Sequence, residues 1–109
     1  MRLFVVSDIH GAKAPFEAAA EFLRAADWIV IAGELTRGKT RAEAAEIIAC
    51  LERYSNRILA VHGNWDRPEV KDLLEEKGYS LHAMGRILDG VGFFGLGGSS
   101  PTPMDTATE

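Results

Sequence analysis

Residues 1–12 read MRLFVVSDIHGA. Leu3 to Val6 form a short apolar run of valine, leucine and phenylalanine, the pattern of a buried strand. The run ends at Ser7, and then come an acid, one residue and a histidine: Asp8 and His10. In extended chain, residues two apart project to the same side, so both side chains can reach one ion. This stretch decides the fold. If a strand end here carries a site, later strand ends must bring further polar groups to the same edge.

The pattern does recur. Pro15 opens a helix, where its missing N–H is not needed, and Phe16, Ala19, Ala20 and Leu23 follow at helical spacing. Trp28 to Ala32 (WIVIA) is a second buried strand, ended by Gly33. After a loop through Arg37, Gly38 and Lys39, Thr40 and Glu43 form a T-x-x-E capping-box pattern. The helix behind it carries Ala44, Ile47, Ile48, Leu51 and Tyr54 on one face. Arg57 to Val61 (RILAV) is a third strand, closed by His62-Gly63-Asn64. Asp66 reads as the N-cap of a shorter helix, with Pro68 in its first turn, Val70, Leu73 and Leu74 facing inward, and Gly78 stopping it.

The pattern then changes. Tyr79 to Met84, Arg86 to Leu88 and Val91 to Leu96 read as short strands, with Asp89-Gly90 as a hairpin turn. The final GGSSPTPMDTATE is polar and loop-like. The order strand, helix, strand, helix, strand, helix, strands predicts an α/β fold with a mainly parallel sheet and right-handed crossovers.

The chain has 109 residues, 47% hydrophobic and 26% charged, which describes one ordinary globular domain, residues 1–109. A net charge of −4 argues against a non-specific nucleic-acid binder. Nucleic acid remains an expectation only as a substrate. The single cysteine, Cys50, reads as a small core residue and cannot form an intrachain disulfide. No signal-peptide pattern and no membrane-length apolar run is present, so a cytoplasmic location without membrane contact is expected.

In open α/β sheets, ligands bind beyond the carboxyl ends of the strands. Those ends carry Asp8 and His10, then Gly33-Glu34, then Gly63-Asn64-Trp65-Asp66. Carboxylates, an amide oxygen and imidazole, with no thiolate, suit manganese, iron, zinc or magnesium. The GLGGSS run lacks the third glycine of a dinucleotide fingerprint, and the first βα turn has one glycine, so no such cofactor is expected.

SDIHG, GELTR and GNWD resemble, in order, the D-x-H, G-D-x-x-D/H/R and G-N-x-D/E signatures of the calcineurin-like metallophosphoesterases. The resemblance covers nearly the whole chain, VGFFGLGGSSPTPMDTATE included. It implies hydrolysis of phosphomonoesters or phosphodiesters with two divalent metal ions. Asp8 and His10 would hold the first metal, and Glu34 would stand at the bridging carboxylate. Asn64 would bind the second metal and orient the phosphate. Asp66, grouped with Asn64 in the catalytic machinery, would support rather than ligate, and Arg37 would contact phosphate.

Three departures from the family pattern stand out. The bridging position is normally aspartate and is Glu34 here. Trp65 replaces a histidine that serves many members as general acid. The family's later G-H and G-H-x-H motifs are absent. The expectation is therefore the N-terminal half of such a domain, with its C-terminal half absent. It would associate with itself or with a complementary C-terminal chain. The alternative is a catalytically incompetent fragment, or a non-catalytic binding module of the same fold. His62 and His82 read as packing histidines, Lys39 and Arg41 as solvated charges, and Trp65 as rim packing.

Overall fold

The computed structural model describes residues 1–99. The expected polar loop from Ser100 onward lies outside the described residues. Three parallel strands, β1 (Leu3–Val6), β2 (Trp28–Ala32) and β3 (Ile58–Val61), form a sheet in the order β1-β2-β3. Helices α1 (Ala14–Ala18) and α2 (Ala20–Ala25) connect β1 to β2, and α3 (Arg41–Glu52) connects β2 to β3. Helix α4 (Pro68–Glu76) follows, and then an antiparallel hairpin of β4 (Met84–Leu88) and β5 (Val91–Gly95). Bridges Ala60–Ser80 and His82–Gly95 hang that hairpin on the β3 edge. The α/β class with a parallel sheet is as expected.

The register shows which face carries the core. Phe4 pairs with Ile29 and Ile29 with Ile58, while Val6 pairs with Ile31 and Ile31 with Ala60. These residues pack against Phe16, Leu23, Ile47, Ile48, Leu51, Val70, Leu73 and Leu74 from the four helices. Consecutive strand order with crossovers of one hand puts every helix on the same face. The alternate residues, Leu3, Val5, Trp28, Val30 and Ala32, point to the other face. Leu3 and Val5 are exposed there.

Several local expectations change. The single helix from Pro15 divides at Ala19, whose φ of −98° and ψ of 11° leave the helical basin; its N–H is shared by the Pro15 and Phe16 carbonyls. Phe16 and Leu23 stay buried on one face, so the break leaves the packing intact. Thr40 does stand at the N-cap of α3, but its side chain makes no capping bond. The Glu43 carboxylate instead occupies the space beside Gly11 that a Cβ there would fill. The Tyr79–Met84 strand is reduced to the two bridges, and β4 begins at Met84. No helix among the described residues is long and apolar enough to cross a membrane.

Candidate metal centre

The three parallel strands end together, at Val6, Ala32 and Val61, and their following loops meet. The His10 N–H donates to the Glu34 carbonyl at 3.1 Å, and the Gly11 N–H to the Leu35 carbonyl at 3.0 Å. These bonds stitch the first loop to the second. The second is clasped to the third by Asp66, which is fully buried. One Asp66 oxygen accepts from the Leu35 N–H (3.1 Å) and the Gly63 N–H (2.8 Å). The other accepts from the Thr36 N–H (2.8 Å) and the Thr36 hydroxyl (2.9 Å).

Asp66 therefore does not cap α4: Arg67 holds the N-cap position, without a side-chain bond. Nor does the Asp66 carboxylate reach the open edge where a substrate would sit. Its two oxygens accept from four donors, which fasten the second loop to the third. Sequence reading passed over its partner Thr36. The one available signal was a small hydroxyl residue two positions after Glu34.

Asp8, His10 and Glu34 come together at this edge. His10 Nε2 lies 3.7 Å from Asp8 Oδ1 and 3.9 Å from Glu34 Oε2. Both separations are too long for hydrogen bonds and short enough for donors sharing one ion. The route to this proximity differs from the expected one. The loop is not extended: φ is 54° at Asp8, 50° at His10 and 59° at Glu34. Left-handed backbone is uncommon outside glycine and costs roughly 1–3 kcal/mol per residue, so it persists only where the surroundings impose it. Here the bond between the His10 N–H and the Glu34 carbonyl links two of the three residues that carry the donors. Gly33 and Gly63 allow the close approach: a Cβ on Gly63 would collide with the Glu34 main chain and carboxylate.

The Glu34 carboxylate is divided in its use. Oε1 accepts from the Trp65 N–H at 3.3 Å. Oε2 is buried and has no hydrogen-bond partner among the described residues. Burial pushes the Glu34 carboxyl above its ordinary range, the Trp65 N–H opposes that, and the nearby Asp66 charge adds to it. Asn64 stands half-buried in the same loop, and its main-chain N–H also favours the Glu34 carboxylate. Arg37 is exposed, with its guanidinium 3.5 Å from His10 Nδ1. His62 and His82 lie elsewhere: their rings meet edge to face at 4.9 Å, and His82 Nδ1 accepts from the Gly97 N–H.

Among the described residues no group of three or more His, Cys, Asp or Glu side chains is placed to hold a metal ion. What is present is an open arc centred on His10. Its donor chemistry fits a divalent cation, and the orphaned, buried Glu34 Oε2 is the observation that carries the fit. A buried carboxylate oxygen left unpaired is costly unless a cation or donor completes it.

Comparison with known proteins agrees with the geometry. Residues 1–91 match the family model of the calcineurin-like phosphoesterase superfamily domain. The chain is also similar to an uncharacterized protein, MJ1162, of Methanocaldococcus jannaschii, with 33% identity over all 109 residues of this chain. The aligned region makes up 49% of that relative, so the chain spans about half its length. No solved structure matches significantly. From strand order, loop motifs and family match together, the chain belongs to the calcineurin-like phosphoesterase superfamily.

Proposed function

We propose that the chain carries part of a metal-dependent phosphoesterase centre, hydrolysing phosphomonoesters or phosphodiesters. The observation that carries this reading is the buried, unpartnered Glu34 Oε2 facing His10 Nε2, which in turn faces Asp8. These three side chains would hold a divalent ion, with Asn64 contributing toward a second. Such ions, when bound, supply positive charge against phosphoryl oxygens and acidify water. Arg37 offers a further cation to the phosphoryl group. Asp66, Thr36 and Gly63 hold Glu34 in place. Trp65 puts no acid where many members of the family have histidine, so the leaving group takes its proton from water or from another residue.

The test is metal content after manganese loading and desalting, with phosphatase assays alongside. We expect bound manganese in the wild-type chain, and loss of metal and activity together in Asp8→Ala. Full activity in a metal-free Asp8→Ala protein would sink the reading. No manganese in either protein would favour the non-catalytic alternative.

A second observation bears on partners. Parallel sheets are normally covered on both faces, and here all four helices cover one. On the other, Val5 is 61% exposed and Leu3 44% exposed. Beside β1, Leu3, Val5 and Phe22 line an apolar groove of about 500 Å³. β1 is also an edge strand with unpaired main-chain groups. The occupant we propose is a polypeptide segment equivalent to the part of MJ1162 that this chain does not match, adding a strand to β1. Co-expression with that half of MJ1162 should give a one-to-one complex whose β1 amides resist hydrogen exchange, lost in Val5→Lys. A homodimer protecting β1 instead would reassign the face to self-association.

A further inference from the structure

Beside the metal arc lies a cleft of about 330 Å³ lined by His10, Arg37 and Trp65. That volume is at the lower end for small-molecule sites. Its three walls differ in chemistry: an imidazole from the metal arc, an exposed guanidinium, and an indole. Trp65 stands outside the hydrophobic core and is 40% exposed. Rim packing, the ordinary reading of such a residue, leaves its role in this cleft unexplained.

Trp65 is also held firmly at its backbone. Its N–H donates to Glu34 Oε1, and its neighbour Asp66 is the buried clasp described above. One residue further on, Arg67 Nε donates to the Gly38 carbonyl at 2.8 Å, tying the Trp65 loop to the Arg37 loop. The indole and the guanidinium are thus presented from two loops fastened to each other. A fixed, half-exposed aromatic wall loses little freedom when a flat ring stacks on it.

We propose that this cleft is a subsite for phosphate esters whose alcohol portion carries a flat aromatic ring, a nucleobase for example. Trp65 stacks on the ring and Arg37 holds the phosphoryl end; the inference rests on the phosphoesterase reading of the adjacent centre. The cleft distinguishes such esters from alkyl or sugar phosphates of equal charge, because every nucleobase has a π-face and a sugar has none. Base–aromatic stacking of about 1–3 kcal/mol predicts a preference of roughly 5- to 140-fold.

The experiment uses the chain with Trp28→Phe, which leaves Trp65 as its one tryptophan. Trp28 Nε1 has no hydrogen-bond partner to lose. Trp65 fluorescence is followed while adenosine 5′-monophosphate, ribose 5-phosphate or inorganic phosphate is added in manganese buffer. Calorimetry repeats the titrations in Trp65→Leu, Trp65→Phe and Arg37→Ala. Adenosine monophosphate should quench Trp65 and bind at least fivefold tighter than ribose 5-phosphate. Trp65→Leu should abolish that ratio, Trp65→Phe should restore part of it, and Arg37→Ala should weaken all three ligands.

Ribose 5-phosphate binding as tightly as the nucleotide, with phosphate competing, overturns the ring subsite and leaves the phosphoesterase reading standing. Nucleotide quenching that phosphate does not compete with, and that Arg37→Ala does not change, keeps the stacking wall but refutes the phosphoryl assignment. Binding of none of the three overturns both.

Discussion

Replacing Asp66 tests the clasp between the second and third loops. In Asp66→Ala, the N–H groups of Leu35, Thr36 and Gly63 lose their acceptor in a fully buried place. The Thr36 hydroxyl loses its acceptor too, though it can turn. An orphaned buried donor costs about 1–3 kcal/mol, and three cannot all relax toward water, so a loss of about 4 kcal/mol is expected. Against a total stability of about 5–15 kcal/mol, that is a large fraction. Asp66→Asn should be milder and should show direction. If its amide nitrogen faces Thr36, the hydroxyl can rotate to accept, and only the Thr36 N–H is orphaned, at about 1–3 kcal/mol. The opposite orientation would orphan two N–H groups and is disfavoured. Urea unfolding with unchanged slope should rank wild type above Asp66→Asn above Asp66→Ala. Manganese affinity should fall in the same order, because Leu35 and Thr36 carry Glu34 with them. Equal losses in the two variants, or a loss under about 1 kcal/mol in Asp66→Ala, would refute the clasp.

Gly63→Ala should destabilise by roughly 1–3 kcal/mol or more and weaken manganese binding, since its methyl enters the space of the Glu34 carboxylate; a chain that melts and binds as wild type would remove the packing argument. Burial, and then the His82 ring, hold the His62 imidazole below its ordinary 6.5. Its contribution to stability is therefore complete above 6.5 and is lost as pH falls from there toward the lowered folded value, with a slope of at most about 1.4 kcal/mol per pH unit. The difference between wild type and His62→Phe in urea unfolding across pH 7 to 5 isolates it. Tyr79, whose hydroxyl donates to Glu52 at 2.6 Å, is pushed up to about 12 by burial and by that carboxylate. Ultraviolet titration of Tyr54→Phe, which leaves one tyrosine, should show a single late step that Glu52→Gln moves toward 10.

Much of the fold was legible because hydrophobic period reports burial, and burial organises this molecule. WIVIA reads as a strand from composition alone and forms one over Trp28–Ala32. Ile47, Ile48 and Leu51 fall on one helical face and are buried. What local pattern could not supply were the choices made by tertiary contact. Thr40 and Asp66 both look like helix N-caps, yet neither makes a side-chain cap. Glu43 is drawn to the Gly11 turn, and Asp66 to four donors, three of them about thirty residues away in sequence. A capping bond satisfies one exposed helix N–H, whereas the Asp66 clasp satisfies three buried N–H groups, so the buried arrangement wins. The left-handed backbone at Asp8, His10 and Glu34 was equally unreadable, since none is glycine and the strain is sustained by partners on other loops.

The substitution of glutamate for aspartate at position 34 takes on a definite meaning in this setting. In sequence it reads as a departure from the family pattern, because the added methylene shifts the carboxylate. In the structure the longer side chain reaches the Trp65 N–H with Oε1 and leaves Oε2 alone toward His10. An oxygen that accepts a main-chain bond is less available to a cation, so under the proposed reading Glu34 would favour one ion over a symmetric bridge between two. The same bond fixes Trp65, the residue that replaces histidine. One extra methylene thus ties the two departures together. The residue whose Oε2 stands unpartnered toward His10 also anchors the backbone of the aromatic wall of the neighbouring cleft.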